Sequence, residues 1–346
     1  MIFRKYILVS ILGLLLFCCP KTIPAQTANP GPYQYIFTVA KDGTGDFIRI
    51  QDAIDAMRAY PLLPITLYIK NGVYREKIEL PATNTDVRFI GESVEKTIIL
   101  FNDFSGRGRT NTFTSFTAKI SGNRFRAENI SFINDAGPVG QAVALYVDAD
   151  QAVFRNCRFL GNQDTIFTGG EHARQYFVHC WIEGTTDFIF GPATAVFDSC
   201  ILRAKANSYL TAASTTPGKA FGYVFLHCEV RSDSNVNKLY LGRPWRAAAK
   251  TVFLYCQLPA VIAPEGWNNW SNPENEKTCW YGEYQNTGPG ADIHHRVAWS
   301  HSLTEQEASQ YTIENILSSN PADQASQKNW YLSEPLLPFQ WPAKHG

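Results

Sequence analysis

Apolar positions along this chain return in blocks, with no long helical period between them. Five segments share one pattern: Phe154-Arg-Asn-Cys157-Arg-Phe159, Phe177-Val-His-Cys180-Trp-Ile182, Phe197-Asp-Ser-Cys200-Ile-Leu202, Phe225-Leu-His-Cys228-Glu-Val230 and Phe253-Leu-Tyr-Cys256-Gln-Leu258. Each has an aromatic residue, a cysteine three later and an apolar residue two beyond that. In an earlier relative, Glu128-Asn-Ile-Ser-Phe132, Ile130 takes the cysteine position. The steps between marked positions are 27, 23, 20, 28 and 28 residues. A unit of roughly 20–30 residues is the mark of a solenoid. Residues two apart, such as Cys157 and Phe159, share one face of a strand, and each unit is rich in β-branched and aromatic residues. Stacking such strands at ~4.8 Å predicts an all-β fold: a right-handed, single-stranded parallel β-helix with an inner ladder of cysteine and aromatic rings. The cysteines then serve as small buried hydrophobes, in preference to the disulfides that stacked neighbours would also allow.

The ends of the pattern read as caps. Residues 47–59 carry Ile50, Ile54 and Met57 at helical spacing, and a helix there would cover the open edge of the first coil. Thr304-Glu-Gln-Glu307 is a capping box that opens a second helix, expected to run to about Leu317. The tail to Gly346, with Trp330, Leu336, Leu337, Phe339 and Trp341 among prolines, is expected to pack along the outside of the solenoid.

The first residues change the picture of where the chain works. Arg4 and Lys5 precede the apolar run Tyr6 to Cys19, and Ala25 closes the segment. That order predicts a secretory leader over residues 1–25 and a single domain over 26–346, exported to the periplasm or the exterior. The run is shorter than the ~20 residues of a membrane span, and no other segment is apolar enough to make one. Lipid anchoring at Cys18 is disfavoured by the bulky Phe17. The formal net charge of zero gives no support for nucleic acid or an anionic membrane as partner.

The repeat also acts as a ruler for chemistry. Asp164 lies seven residues after Cys157, and Asp187 lies seven after Cys180. Both carboxyls therefore share a phase on successive coils. Two close carboxyls resist joint ionisation. A nearby arginine would hold one as an anion and leave the other protonated. Gln163 adjoins Asp164, Gln141 sits one coil earlier, and such amides can donate to a developing oxyanion. Arg243, in Leu241-Gly-Arg-Pro-Trp245, is the candidate cation, although phase alone does not place it. No zinc or calcium ligand pattern and no Gly-x-Ser-x-Gly elbow occurs, so no metal and no cofactor is expected.

At these residues the sequence resembles the pectin methylesterase family, as a secreted member of bacterial type. The matching segments are Gln141-Ala-Val-Ala-Leu145, Gln163-Asp-Thr-Ile-Phe167, Gly184-Thr-Thr-Asp-Phe-Ile-Phe-Gly191 and Leu241-Gly-Arg-Pro-Trp245. They are joined by Gly72-Val-Tyr-Arg-Glu76, Asn134-Asp-Ala-Gly-Pro138, Gly266-Trp-Asn-Asn-Trp270 and Thr287-Gly-Pro-Gly290. The resemblance implies a carboxylic ester hydrolase acting on methyl-esterified pectin (homogalacturonan). It assigns Asp187 as nucleophile, Asp164 as acid and base, and Gln141 and Gln163 as oxyanion donors. Arg243 would orient Asp187, Trp245 would stack on a sugar ring, and Thr112 would contact substrate. Three residues depart from the pattern and bear on substrate preference: Phe167 for a common tyrosine, Thr186 for valine, and Ala213 for the glutamine of plant members. Trp267 and Trp270 fit a binding role and a packing role equally. The rival readings are a polygalacturonase-type hydrolase, a pectate lyase and a non-catalytic β-helix module. The first two want a histidine in the acidic cluster or calcium ligands, and the third should have lost one of the five polar groups. A capped solenoid is expected to be monomeric.

Overall fold

The computed structural model describes residues 33–318, 329–332 and 341. The expected leader with Cys18, and tail residues Leu336, Leu337 and Phe339, lie outside the described residues. Among these, strands form three sheets of eleven, seven and seven, every pairing parallel. The chain visits the sheets in turn. One coil runs Ala152–Arg155, Arg158–Leu160, Ile166–Thr168, and the next runs Arg174–Val178, Trp181–Gly184, Ile189–Gly191. This is the predicted parallel β-helix.

The corner from the first to the second sheet explains the repeat. Asn129, Asn156, His179, Ser199, His227 and Tyr255 all have φ between 48° and 58°, and each immediately precedes Ile130 or a ladder cysteine. In a continuous strand, Phe154 and Cys157 would point to opposite faces. The left-handed residue between them turns the chain so that both are buried. Such a conformation costs about 1–2 kcal/mol per residue, so interior packing must outweigh it at every coil. The packing is visible. Phe154, Phe177, Phe197, Phe225 and Phe253 stack at centroid spacings of 4.9, 4.8, 4.6 and 4.3 Å. All six described cysteines are free. Thiols donate to carbonyls of the coil below, as from Cys180 to Phe154 (3.4 Å) and Cys228 to Phe197 (3.2 Å). Burial pushes the ladder thiols of Cys157, Cys180, Cys200 and Cys228 well above the ordinary range.

The caps are shorter than the sequence pattern suggests. The first helix spans Ile50–Asp55 instead of 47–59, with Ile50, Ala53 and Ile54 buried. Its start lacks a capping side chain of its own. The buried Glu76 carboxylate accepts the amides of Ile50 (3.1 Å) and Gln51 (3.2 Å) instead. Its end precedes Tyr60, whose φ of 51° and following proline are incompatible with helix. The capping box of Thr304 and Glu307 forms as read, but the single long helix does not. Glu305–Ala308 stops after one turn, and Thr312 caps a new helix, Ile313–Leu317, through the Asn315 amide (3.1 Å). These helices and Trp330–Leu332 cover the outer face of the first sheet, where Val153, Val178, Val196, Val224 and Val252 form an apolar cluster with Ile316, Leu317 and Trp330. No helix among the described residues is long and apolar enough to cross a membrane.

If the aromatic stack holds the coils together, Phe197→Ala should lower unfolding free energy by about 3–5 kcal/mol in urea titration. A loss below about 1 kcal/mol would show that neighbouring coils collapse into the space.

Candidate active site

The third sheet carries an apolar stripe on its outer face. Tyr146, Phe167, Phe190 and Ala212 occupy one register across four coils, and Phe116, Val143, Trp245 and Trp270 extend the cluster. Beside it opens a cleft of about 680 Å³, walled by Phe167, Pro192, Thr215, Pro217, Trp245 and Ala248 among others.

The polar groups enter where the chain turns from the second sheet into the third. Ile166 pairs with Ile189, which puts Asp164 and Asp187 at equal positions on adjacent coils, ~4.8 Å apart along the axis. Both have left-handed backbones, φ 66° and 49°, a conformation that aspartate tolerates better than most residues. Their exposures are 4% and 5%, so neither charge is well hydrated. Gln141 and Gln163 pair in the same way one step earlier. The shared phase read from the sequence for the two aspartates therefore holds, and the two glutamines share the adjacent position.

Arg243 is brought in from two coils further on. Its Nε and a terminal guanidinium nitrogen donate to the two Asp187 oxygens at 3.0 and 2.6 Å. This bidentate, charge-assisted pair is the strong form of such a contact. Thr112 opens a single 3₁₀ turn capped by Asn111. Its hydroxyl donates to Gln141 Oε1 at 2.7 Å. That contact commits the Gln141 carbonyl and leaves its amide to donate to Asp164. Gln163 has no side-chain hydrogen bond among the described residues, so its amide is available to a ligand.

Electrostatics separates the two acids. Burial pushes Asp164 up, the Asp187 charge pushes it further, and the Gln141 amide and Arg243 offset part of this, leaving it at about 8. Burial also raises Asp187, but the Arg243 contact pulls it back. Near neutral pH the shared proton therefore sits on Asp164. The result is an arginine-held carboxylate beside a carboxylic acid, with glutamine amides alongside. That set can attack a carbonyl, donate to its oxyanion and protonate a leaving group.

This geometry meets an unambiguous kinship. The pectinesterase family pattern matches residues 36–320. The chain belongs to the pectinesterase family. Pectinesterase 31 of Arabidopsis thaliana is 37% identical over 284 residues, covering 79% of this chain and 89% of that protein. Probable pectinesterase/pectinesterase inhibitor 23 of the same plant is 38% identical over 86% of this chain, but over just 55% of its own length. The chain thus spans about half the length of several curated relatives it matches. Among solved structures, pectin methylesterase from carrot superposes with a TM-score of 0.78 at 34% identity, covering 85% of this chain and 94% of that one. Pectin methylesterase PemA from Erwinia chrysanthemi gives 0.72 at 29%, covering 82% and 97%.

Within the pectinesterase frame, several expectations shift. Trp245 packs near Phe190, at 5.9 Å, and walls the cleft. Thr112 holds Gln141 in place, a role the sequence did not reveal. Trp267 is core: it is buried against Tyr281 at 4.6 Å. Trp270 instead lies against the Arg243 guanidinium at 3.7 Å, and Tyr209 lies against it too at 4.0 Å. Tyr209 went unnoticed because it lies in a repeat without distinctive motif. Ala213 belongs to the interior core and Ala212 to the cleft cluster, so the Ala213 side chain faces away from the cleft. Thr186 is satisfied by the Ser208 hydroxyl at 2.8 Å, and Phe167 joins Phe113, Tyr146 and Phe190 in the apolar stripe. Among the described residues no group of three or more His, Cys, Asp or Glu is placed to hold a metal ion.

Carboxyl-carbon NMR titration should find Asp164 still protonated at neutral pH. In Asp187→Asn its pKa should fall, because the repelling charge is gone. An Asp164 titrating in the ordinary carboxylate range would contradict the charge separation described.

Proposed function

We propose that this chain hydrolyses methyl esters of galacturonate units in pectin, releasing methanol and leaving free carboxylates. The observation that carries the reading is the in-register pair of buried aspartates, one of them gripped by Arg243, beside two glutamines that share the adjacent register.

The roles follow from the contacts. The Asp187 carboxylate, oriented by Arg243, attacks the ester carbonyl at C6. The new oxyanion accepts from the amides of Gln141 and Gln163, which water exclusion makes effective. Collapse expels methanol, which takes its proton from Asp164. The acyl-enzyme splits one hard hydrolysis into two easier steps. Asp164, now a carboxylate, takes a proton from water, and the hydroxide attacks the acyl group. The second collapse frees the Asp187 carboxylate and a galacturonic acid carboxyl, which loses its proton to solvent. Trp245 and the Phe167–Phe190 stripe hold the sugar chain against the acids, and Thr112 keeps the Gln141 amide aimed. No metal ion or cofactor takes part in these steps.

Export and a monomeric state belong to the same proposal. The basic start and short apolar run of residues 1–25 support export, and a polymer as large as pectin is met outside the cell. The covering of the solenoid's first coil by Ile50–Asp55 supports a single capped chain.

Incubated with highly methyl-esterified pectin, the protein should release methanol in the presence of EDTA, and Asp187→Asn should release none. New reducing ends or unsaturated products without methanol would identify a chain-cleaving enzyme and overturn the reading. Activity should also decline as pH rises through about 8, because the leaving group then finds Asp164 already deprotonated. A rate that stays flat well above that pH would remove Asp164 as the acid.

A further inference from the structure

Arg243 is held in a way that its ion pair with Asp187 does not require. The rings of Trp270 and Tyr209 lie on it at 3.7 and 4.0 Å, within the range of strong cation–π contact. Tyr209 is backed in turn by Tyr240, stacked at 5.3 Å and 22° in equal register on the next coil. The Tyr209 carbonyl also accepts the Asp187 amide at 2.9 Å. One residue thus braces both the backbone of the carboxylate and the ring side of its cation.

Trp270 reaches this position at a conformational cost. It and Ser271 have φ of 60° and 55°, two consecutive left-handed residues, one of them aromatic. Such backbone persists where its surroundings over-determine it. Here the Asn268 side chain accepts the Trp270 amide at 2.8 Å, Asn269 donates to Glu276 at 2.7 Å, and Asn275 donates to the Asn269 carbonyl at 3.1 Å. The loop is pinned to the strand that carries Arg243 through the Asn268 amide and the Gly242 carbonyl (3.1 Å). A tryptophan that merely filled space would not need this scaffold, and Trp270 is not in the interior core.

We propose that Trp270 is a positioning residue, which with Tyr209 forms a two-ring aromatic clamp keeping the Arg243 guanidinium registered on the Asp187 carboxylate. Arginine is long and rich in rotamers. With two rings against it the guanidinium has less room to swing away, and its Nε and one terminal nitrogen donate to Asp187. The clamp rests on the esterase reading for its purpose, but its physical content is the state of Asp187 alone. When Trp270 is removed, Arg243 gains freedom, its hold on the carboxylate weakens and the Asp187 pKa rises. The fraction of attacking carboxylate at a given acidic pH then falls.

The test compares Trp270→Ala and Trp270→Phe with the unaltered protein by NMR titration of the Asp187 carboxyl and by the pH profile of methanol release. Trp270→Ala should raise the Asp187 pKa, move the acid limb of kcat upward and lower kcat by roughly tenfold. Trp270→Phe, which keeps a ring, should recover most of each. A rise in KM with kcat and the acid limb unchanged would make Trp270 a sugar contact and overturn the clamp. So would a fall in Tm with an unchanged Asp187 titration. If the unaltered protein releases no methanol, the esterase reading fails by itself, and the NMR titration still decides the clamp.

Discussion

Equal register between successive coils is the constraint on which this structure depends. Backbone amides of one coil bond to carbonyls of the next, so each position lies over its counterpart at ~4.8 Å. Like residues are thereby forced into contact. Inside, this is favourable: phenylalanine stacks on phenylalanine, and small thiols fill the corner left by each left-handed turn. On the outer face the same rule places Asp164 beside Asp187, where like charges and burial both oppose ionisation. The site is therefore where the repeat works against stability, a local conflict of the kind that marks functional positions.

The conflict is resolved by a residue from outside the pair. Arg243 sits two coils beyond Asp187, an axial span of about 10 Å, which suits a long side chain. A planar fork can grip both carboxylate oxygens at once, which a lysine ammonium cannot. Because Asp187 receives that grip and Asp164 does not, two chemically equal carboxyls acquire opposite protonation. Burial raises both; the asymmetry is the work of the guanidinium on Asp187 and of the Asp187 charge on Asp164, the Gln141 amide offsetting part of it. Guanidinium and amide are themselves held by further contacts from Trp270, Tyr209 and Thr112.

The surroundings of the acids are apolar and aromatic. Phe167, Phe190 and Tyr146 cluster on the outer face of the third sheet, and an apolar surface of that kind strengthens polar contacts beside it. Phe167 lies among Phe113, Tyr146 and Phe190, and the Thr186 hydroxyl finds Ser208. These departures leave no unsatisfied polar group at the acids.

How much was legible in the sequence depended on whether the information was periodic. The solenoid, its cysteine and phenylalanine ladder, and the shared phase of Asp164 and Asp187 were all present as spacings, because a register of one coil on the next converts sequence offset directly into position. Helix lengths at the caps were not, since Glu76, 26 residues on from Ile50, supplies one helix start and Thr312 interrupts the other. Nor was the work of Thr112, Tyr209 or Trp270, or the inward face of Ala213. Those depend on which loop folds back over which coil, and on side chains meeting across segments with no common period. The chain by itself determined the coil and the pairing of its acids; the tertiary structure alone decided which acid keeps the proton, because that rests on burial and on a guanidinium delivered from 56 residues away.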